Sequence, residues 1–191
     1  MAADDGGKMA GLHDGKYVLT ATQKGAIGES VVVSALLRES GGRLSPFYSI
    51  ADDDGIDLLI YDKETGVAIP IQVKSRTTTL NRPGTTKPGS GVHFEVRTAA
   101  LREFDDAHLV AVLLNGDMND IRCSWLIRMQ VLASVARVTE EKLVIRPNSA
   151  KSSLDKFTPF RCDTAQGLSF RLIKAAEQLA ARSSKKKKPA A

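Results

Sequence analysis

The chain has 191 residues, of which 42% are hydrophobic and 26% are charged, a length and composition that suit one globular domain with a sizeable core. The longest apolar run, residues 109–114, is far shorter than the roughly 20 residues that a membrane-spanning helix needs, which excludes such a helix. Residues 1–16 are polar and glycine-rich, without the apolar segment of a signal peptide, so we expect a cytoplasmic protein. The two cysteines, Cys123 and Cys162, are too few for a disulfide framework and match no zinc-site spacing.

Charge is unevenly distributed along the chain. The net charge of +5 equals the five positive charges that Arg182 and residues 185–188 contribute, so the rest of the chain is neutral. Within it, residues 52–64 contain six acids and residues 74–102 contain six bases. An acidic segment followed by a basic one is what a cation site beside a polyanion site needs, although an unevenly charged solvated surface gives the same pattern.

The order of predicted elements defines a fold class. We interpret residues 1–20 as a flexible N-terminal arm, residues 21–182 as a single domain, and residues 183–191 as a disordered basic tail. Helical periodicity predicts helices at residues 23–40, 99–105, 130–135 and 164–182. Alternating or continuous apolar runs predict strands at residues 43–49, 56–61, 68–73, 91–97, 109–114, 123–128 and 143–146. This order predicts an α/β fold with a mixed central β-sheet flanked by helices.

Two details of this pattern concern the strands at residues 56–61 and 68–73. The turn residues 63–66 predict that these strands form a hairpin. Pro70 cannot donate to a sheet ladder, so we expect it at the beginning of its strand or at a bulge.

Glu29 is the first residue in an unexpected place. It shares a helical stripe with Val33 and Leu36, which should face the core. A carboxylate there is costly unless it is ion-paired, hydrogen-bonded or close to a metal. The alternative is a slightly rotated stripe with Glu29 at its solvated edge.

Polar residues in the predicted hairpin are the second unexpected feature. Asp57 lies in a strand, where Asp is disfavoured, unless it caps the preceding turn. Gln72 and Lys74 are two residues apart, so their side chains project from the same strand face, which could otherwise be plainly solvated. Pairing of the two strands brings Asp57 beside Gln72. A carboxylate, an amide oxygen and an ammonium group would then share one small volume.

Three segments together resemble the PD-(D/E)XK, or restriction endonuclease-like, nuclease superfamily. They are residues 25–29 (GAIGE), 55–60 (GIDLLI) and 71–75 (IQVKS), and the resemblance covers roughly residues 23–97. It implies a Mg²⁺-dependent endonuclease that hydrolyses DNA phosphodiester bonds, with Mn²⁺ as a substitute cation. Nucleases of this kind often dimerise to cut both strands, so the resemblance also allows a homodimer.

The resemblance assigns a role to each of five residues. Asp57 would be the metal-binding carboxylate, and the main-chain carbonyl of Val73 would be a further metal ligand. Gln72 stands where the family usually has Asp or Glu, and its amide oxygen would bind the metal with one negative charge fewer. Lys74 would orient and activate the attacking water, and Glu29 would complete the site from the first helix. Mg²⁺ prefers such oxygen ligands and often needs only one or two carboxylates.

Two further segments are candidates for nucleic-acid binding. Ser75 and Arg76 follow the site directly, and the loop at residues 77–91 adds Arg82 and Lys87. We expect these residues to contact phosphates of DNA, with RNA not excluded, although a plain solvated loop has the same composition. The segment at residues 151–161 combines basic residues with two Phe residues, which either stack on bases or anchor the segment in the core.

Two other functions remain open. Gln72 favours a catalytically inactive nucleic-acid-binding module of the same fold. The small size of the chain, without an evident target-recognition module, is also compatible with a subunit of a larger defence or toxin–antitoxin complex.

Overall fold

The computed structural model describes residues 18–49, 55–98 and 106–186. The predicted helix at residues 99–105, Asp52–Asp54, most of the predicted arm and residues 187–191 lie outside the described residues. None of the helices in the described part of the chain combines the length and hydropathy needed to cross a membrane.

The first helix, α1 (Ala21–Glu39), forms where the sequence predicts it. It begins with a capping box, in which the Gln23 amide donates to Thr20 Oγ1 at 3.2 Å and the Thr20 amide donates to Gln23 Oε1 at 2.9 Å. It ends at Glu39, just before Gly41 and Gly42, whose positive φ angles of 59° and 79° do not continue a right-handed helix. Its buried positions, which include Val32 and Leu36, face the main sheet.

Six strands form the central sheet in the order β1-β2-β3-β5-β6-β9. Their bounds are β1 (Leu44–Tyr48), β2 (Leu58–Asp62), β3 (Val67–Arg76), β5 (His108–Leu114), β6 (Ile121–Arg128) and β9 (Arg161–Cys162). Strands β4 (Phe94–Arg97), β7 (Arg137–Val138) and β8 (Lys142–Ile145) belong to a second sheet. All neighbours are antiparallel except β3 and β5, which run parallel, so the predicted mixed sheet is confirmed. The predicted hairpin of β2 and β3 is also present, with Leu58 opposite Ile71.

Pro70 is the fourth residue of β3, so the expectation that it begins the strand is wrong. The parallel pairing with β5 starts only at Ile71, opposite His108. Pro70 therefore has no partner on β5 that would need its missing N–H.

The face of the main sheet opposite α1 is covered by a small second sheet as well as by a short helix. A three-stranded sheet in the order β4-β8-β7 packs there, with β4 (Phe94–Arg97), β7 (Arg137–Val138) and β8 (Lys142–Ile145). The short helix α2 (Met129–Val135) completes this layer. Phe94 and Trp125 meet edge to face in the resulting core, with ring centroids 5.9 Å apart. Helices α1 and α3 cover the opposite face around a second core.

The last helix, α3 (Ala165–Lys186), extends four residues beyond the predicted end at residue 182. The preceding segment is less irregular than its sequence suggests, because it contains a short 3₁₀ helix, Thr158–Phe160, and strand β9. Phe157 is buried, and Arg161 donates to the main-chain carbonyls of Ser149 and Ala150. These contacts favour anchoring of the segment in the core over base stacking.

Candidate active site

Asp57 forms hydrogen bonds with Ile71 and Val73, the two residues that flank Gln72 in the chain. The Asp57 amide donates to the Ile71 carbonyl at 2.9 Å, and Asp57 Oδ2 accepts from the Val73 amide at 2.6 Å. Asp57 lies just before β2, so the carboxylate also fixes the entry of the chain into the sheet. The structure thus brings Asp57 beside Gln72, as the sequence predicts, and gives the carboxylate a capping contact as well.

Gln72 is buried, with only 4% of its surface exposed. Its neighbours Ile71 and Val73 face α1 and α3, so Gln72 projects from the opposite face of β3. The buried Oε1 atom of Gln72 has no hydrogen-bond partner among the described residues. An unpaired buried carbonyl costs about 1–3 kcal/mol, so this oxygen is unusual for a residue that only fills space.

A cleft of about 390 Å³ lies between the start of α1 and the C-terminal end of β3. Glu29 and Lys74, both half-buried, lie on its walls. Asp57 and Gln72 are not among the wall residues of this cleft, but Asp57 accepts from the amide of Val73, which is one of them. The remaining wall residues are Ala21, Lys24, Gly25, Ser75, Arg76, Thr77, Thr78 and Met118.

Gly28 decides how close α1 comes to this end of β3. It is buried against Ser75, the residue after Lys74. Glu29 follows Gly28 directly, so this helix–strand contact sets Glu29 relative to Lys74. In the sequence Gly28 is only one residue of the segment that carries the family resemblance, although a glycine inside a helix usually has a packing reason.

Comparison with solved structures identifies relatives of this fold. No protein-family model and no curated protein matches the sequence. The fold resembles that of a bacterial homing endonuclease, I-Ssp6803I, with a TM-score of 0.55 and 16% sequence identity over 86% of this chain and 99% of that one. The chain has a nuclease-like fold.

Met118 also lines the cleft, although its position in the sequence did not predict this. It lies in the β5–β6 turn with a left-handed backbone conformation, φ 57°, and is 8% exposed. Asn115 Oδ1 holds the turn by accepting from the amides of Asn119 and Asp120, at 3.0 and 3.2 Å. The Asn115-Gly116 dipeptide was the available turn signal.

The four predicted nucleic-acid contacts separate into two pairs. Ser75 and Arg76 line the cleft, and the Arg76 guanidinium carbon lies 6.0 Å from the centre of the buried Phe94 ring. Arg82 and Lys87 are exposed on the connection from β3 to β4 and do not line the cleft. That connection is more ordered than the predicted loop, because residues 80–91 form a hydrogen-bonded ribbon.

Proposed function

We propose that this chain is a metal-dependent nuclease that hydrolyses DNA phosphodiester bonds through a PD-(D/E)XK-type site. The observation that carries the proposal is the position of Asp57, bonded to the residues on both sides of Gln72, whose buried Oε1 has no partner among the described residues. Glu29 and Lys74 share the adjoining cleft. The homing-endonuclease fold of the structural relative supports DNA as the substrate.

The oxygen groups around Asp57 suit Mg²⁺, which prefers hard oxygen ligands and keeps several waters. A carboxylate offers about four lone-pair positions, so one that accepts from the Val73 amide can also coordinate a cation. Gln72 Oε1 and the Val73 carbonyl would be neutral ligands, with Glu29 acting directly or through water. When bound, Mg²⁺ would polarise the phosphoryl group and lower the pKa of water.

Lys74 and Glu29 would act from the walls of the cleft. Lys74 would orient the attacking water and neutralise the charge that develops on the phosphoryl oxygens. Among the described residues it has no ion pair that would compete with a phosphate. Arg76 and Lys24, on the same cleft, would hold the adjacent phosphates by charge.

Cleavage of labelled single-stranded, duplex and branched DNA tests the proposal. We expect cutting with Mg²⁺ or Mn²⁺, none with EDTA, and a loss of at least about 100-fold in Lys74→Ala, the scale seen when a charge-stabilising group is removed. Lys63→Ala is the matched control, because Lys63 is exposed in the turn that precedes β3, at the opposite end from the cleft. Equal activity of wild type and Lys74→Ala would contradict the assignment.

The second candidate is a nucleic-acid-binding module that does not hydrolyse its ligand. One observation favours it: within the described residues no three His, Cys, Asp or Glu side chains come together as a metal site. Calorimetric titration with Mg²⁺ separates the candidates. Metal binding that is lost in Asp57→Asn supports the nuclease, whereas DNA binding without metal binding or cutting supports the module.

A further inference from the structure

The connection between β3 and β4 contains a narrow two-stranded ribbon at residues 80–91. Backbone hydrogen bonds join its strands, from Leu80 N to Gly91 O at 2.7 Å, Gly89 N to Leu80 O at 2.8 Å and Arg82 N to Lys87 O at 2.9 Å. The middle of the ribbon does not pack against the core, since every residue from 81 to 88 is exposed. The ribbon is therefore a projection with defined backbone geometry.

A tight turn closes the tip of the ribbon. The Thr85 amide donates to the Arg82 carbonyl at 3.0 Å, which places Pro83 and Gly84 at the two central positions. Gly84 has φ 70°, and Pro followed by Gly with positive φ is typical of a type II turn. Thr85 Oγ1 accepts from the Lys87 amide at 3.2 Å and stabilises the return strand.

Two cationic residues are neighbours across this ribbon. Asn81 and Pro88 are bridge partners, and the Arg82 amide donates to the Lys87 carbonyl, so Arg82 and Lys87 adjoin each other on the two strands. Like charges in this position destabilise a strand pair. Neither side chain has an ion pair with a described residue, and the sequence has no acid between residues 77 and 94. A polyanionic ligand would remove the repulsion.

The base of the ribbon adjoins the candidate active site. Thr77 and Thr78, which lead into it, line the cleft. Its other end is fixed to the domain, where Gly91 bridges to Asn148 and the Ser149 amide donates to the Ser90 carbonyl at 2.7 Å. A duplex whose phosphodiester lies in the cleft would thus have the ribbon beside it.

We propose that this ribbon enters the major groove of duplex DNA and that Arg82 reads base edges there, with Lys87 beside it. The inference rests on the proposed function for its ligand. The major groove is about 12 Å wide and admits a two-stranded ribbon, and Arg and Lys recognise the O6 and N7 acceptors of guanine there. The tight Pro83-Gly84 turn presents Arg82 in a fixed backbone position, which base readout requires and non-specific phosphate contact does not.

Selection from a randomised duplex library tests base readout separately from cutting. The full chain carrying Lys74→Ala is compared with the same chain that also carries Arg82→Ala, Lys87→Ala or the control Lys63→Ala. We expect the parent to select a motif, and Arg82→Ala to lose preference at one or two adjacent positions. Affinity for the selected site should fall roughly 5- to 150-fold, with little change for unrelated duplexes. Lys63→Ala should change neither.

Three results would overturn the inference. Uniform weakening over all sequences, with a smaller salt dependence, would make Arg82 and Lys87 phosphate contacts only. An unchanged motif in both ribbon variants would remove the ribbon from recognition and leave the nuclease proposal intact. Failure of the parent to bind any duplex would overturn the inference, while cleavage of single-stranded and branched DNA by the chain that retains Lys74 would still decide the nuclease proposal.

A shortened ribbon supplies a second measurement. Replacing residues 81–88 by Asn-Gly removes Arg82 and Lys87 and keeps the bond from Gly89 N to Leu80 O, which then closes a two-residue turn. In a chain that retains Lys74, we expect metal-dependent cutting to persist while its sequence preference broadens. Retained preference would contradict the inference.

Discussion

Gly28 of α1 and Ser75 of β3 are in direct contact, and no larger residue fits at Gly28 without movement. A Cβ atom added to Gly28 would lie 2.5 Å from Ser75 Cβ and closer still to Ser75 Oγ. Glu29 follows Gly28 in α1, and Lys74 precedes Ser75 in β3. Both residues lie on the wall of the cleft. A single close crossing of helix and strand therefore positions two of the proposed functional side chains.

Gly28→Ala should lower both stability and cleavage. Alanine gains about 1 kcal/mol in helix propensity, but crowding in a packed contact costs typically about 1–3 kcal/mol. Gly25→Ala is the control for stability, because a Cβ there meets nothing within 4 Å and only the gain applies. Thermal unfolding should show a lower Tm for Gly28→Ala and an equal or higher Tm for Gly25→Ala.

The reciprocal exchange distinguishes positioning from general damage. Gly28→Ala combined with Ser75→Gly moves the side chain from the strand to the helix and restores the space. We expect kcat/KM to recover relative to Gly28→Ala, with Ser75→Gly alone measured in parallel. Recovery of Tm without recovery of kcat would show that the contact serves stability only.

Gln72→Glu should tighten Mg²⁺ binding. The substitution replaces a neutral ligand by a carboxylate of similar size at a site where ligand charge sets cation affinity. We expect a Kd for Mg²⁺ about tenfold lower by calorimetry. A Kd equal to that of wild type would show that Gln72 is not a metal ligand.

Protonation of His108 should make the folded protein less stable as the pH falls from about 6.5 to 4. Burial is the main reason why the pKa of His108 is lowered to about 4, with Arg128 opposing its charged form. The hydrogen bond to the Asp106 carbonyl, 2.9 Å long, acts in the other direction. Because the folded pKa lies below the unfolded one, the stabilisation is complete above about pH 6.5 and is lost as pH falls towards 4. The loss is about 3 kcal/mol.

Urea unfolding of wild type and His108→Asn at several pH values measures this loss. Asn keeps a donor for the Asp106 carbonyl but does not titrate. The difference in unfolding free energy between the two proteins should change across this window and be constant above it. A difference independent of pH would contradict the prediction.

The exposed apolar face of β1 and β2 is where we expect two copies to meet. Phe47 and Leu59 are cross-strand partners with 57% and 42% of their surfaces exposed, and Tyr61 on the same face is 37% exposed. The described residues of β1 and β2 on this face are uncharged, so they do not repel their own copy in a twofold contact. Pro46 lacks the N–H for strand addition at the β1 edge, which favours contact through the face.

Analytical ultracentrifugation over a range of concentrations tests this expectation. Wild type should sediment as a dimer and Leu59→Glu as a monomer. Leu154→Glu is the matched control, because Leu154 is 93% exposed and outside this face, and its mass should equal that of wild type. A wild-type chain that stays monomeric throughout would contradict the dimer.

Local patterns in the sequence predicted how several residues of the candidate site are placed. The alternation of residues 68–74 and the turn before them placed Asp57 next to Gln72, because strand parity and hairpin pairing are local rules. The helical stripe likewise placed Glu29 towards the sheet, and the structure puts it on the cleft. These predictions needed only the period of each element and the order of elements along the chain.

Tertiary structure decided the rest, because the partners are far apart in sequence. The pairing of β4 with β8 closes a second layer over the face that carries Gln72, and no local pattern identifies strands separated by so many residues. The Gly28 contact with Ser75 depends on where α1 crosses β3. The sequence by itself thus determined which chemical groups the proposed nuclease site would use, while long-range packing decided which of them are buried, which share the cleft and which project on the ribbon.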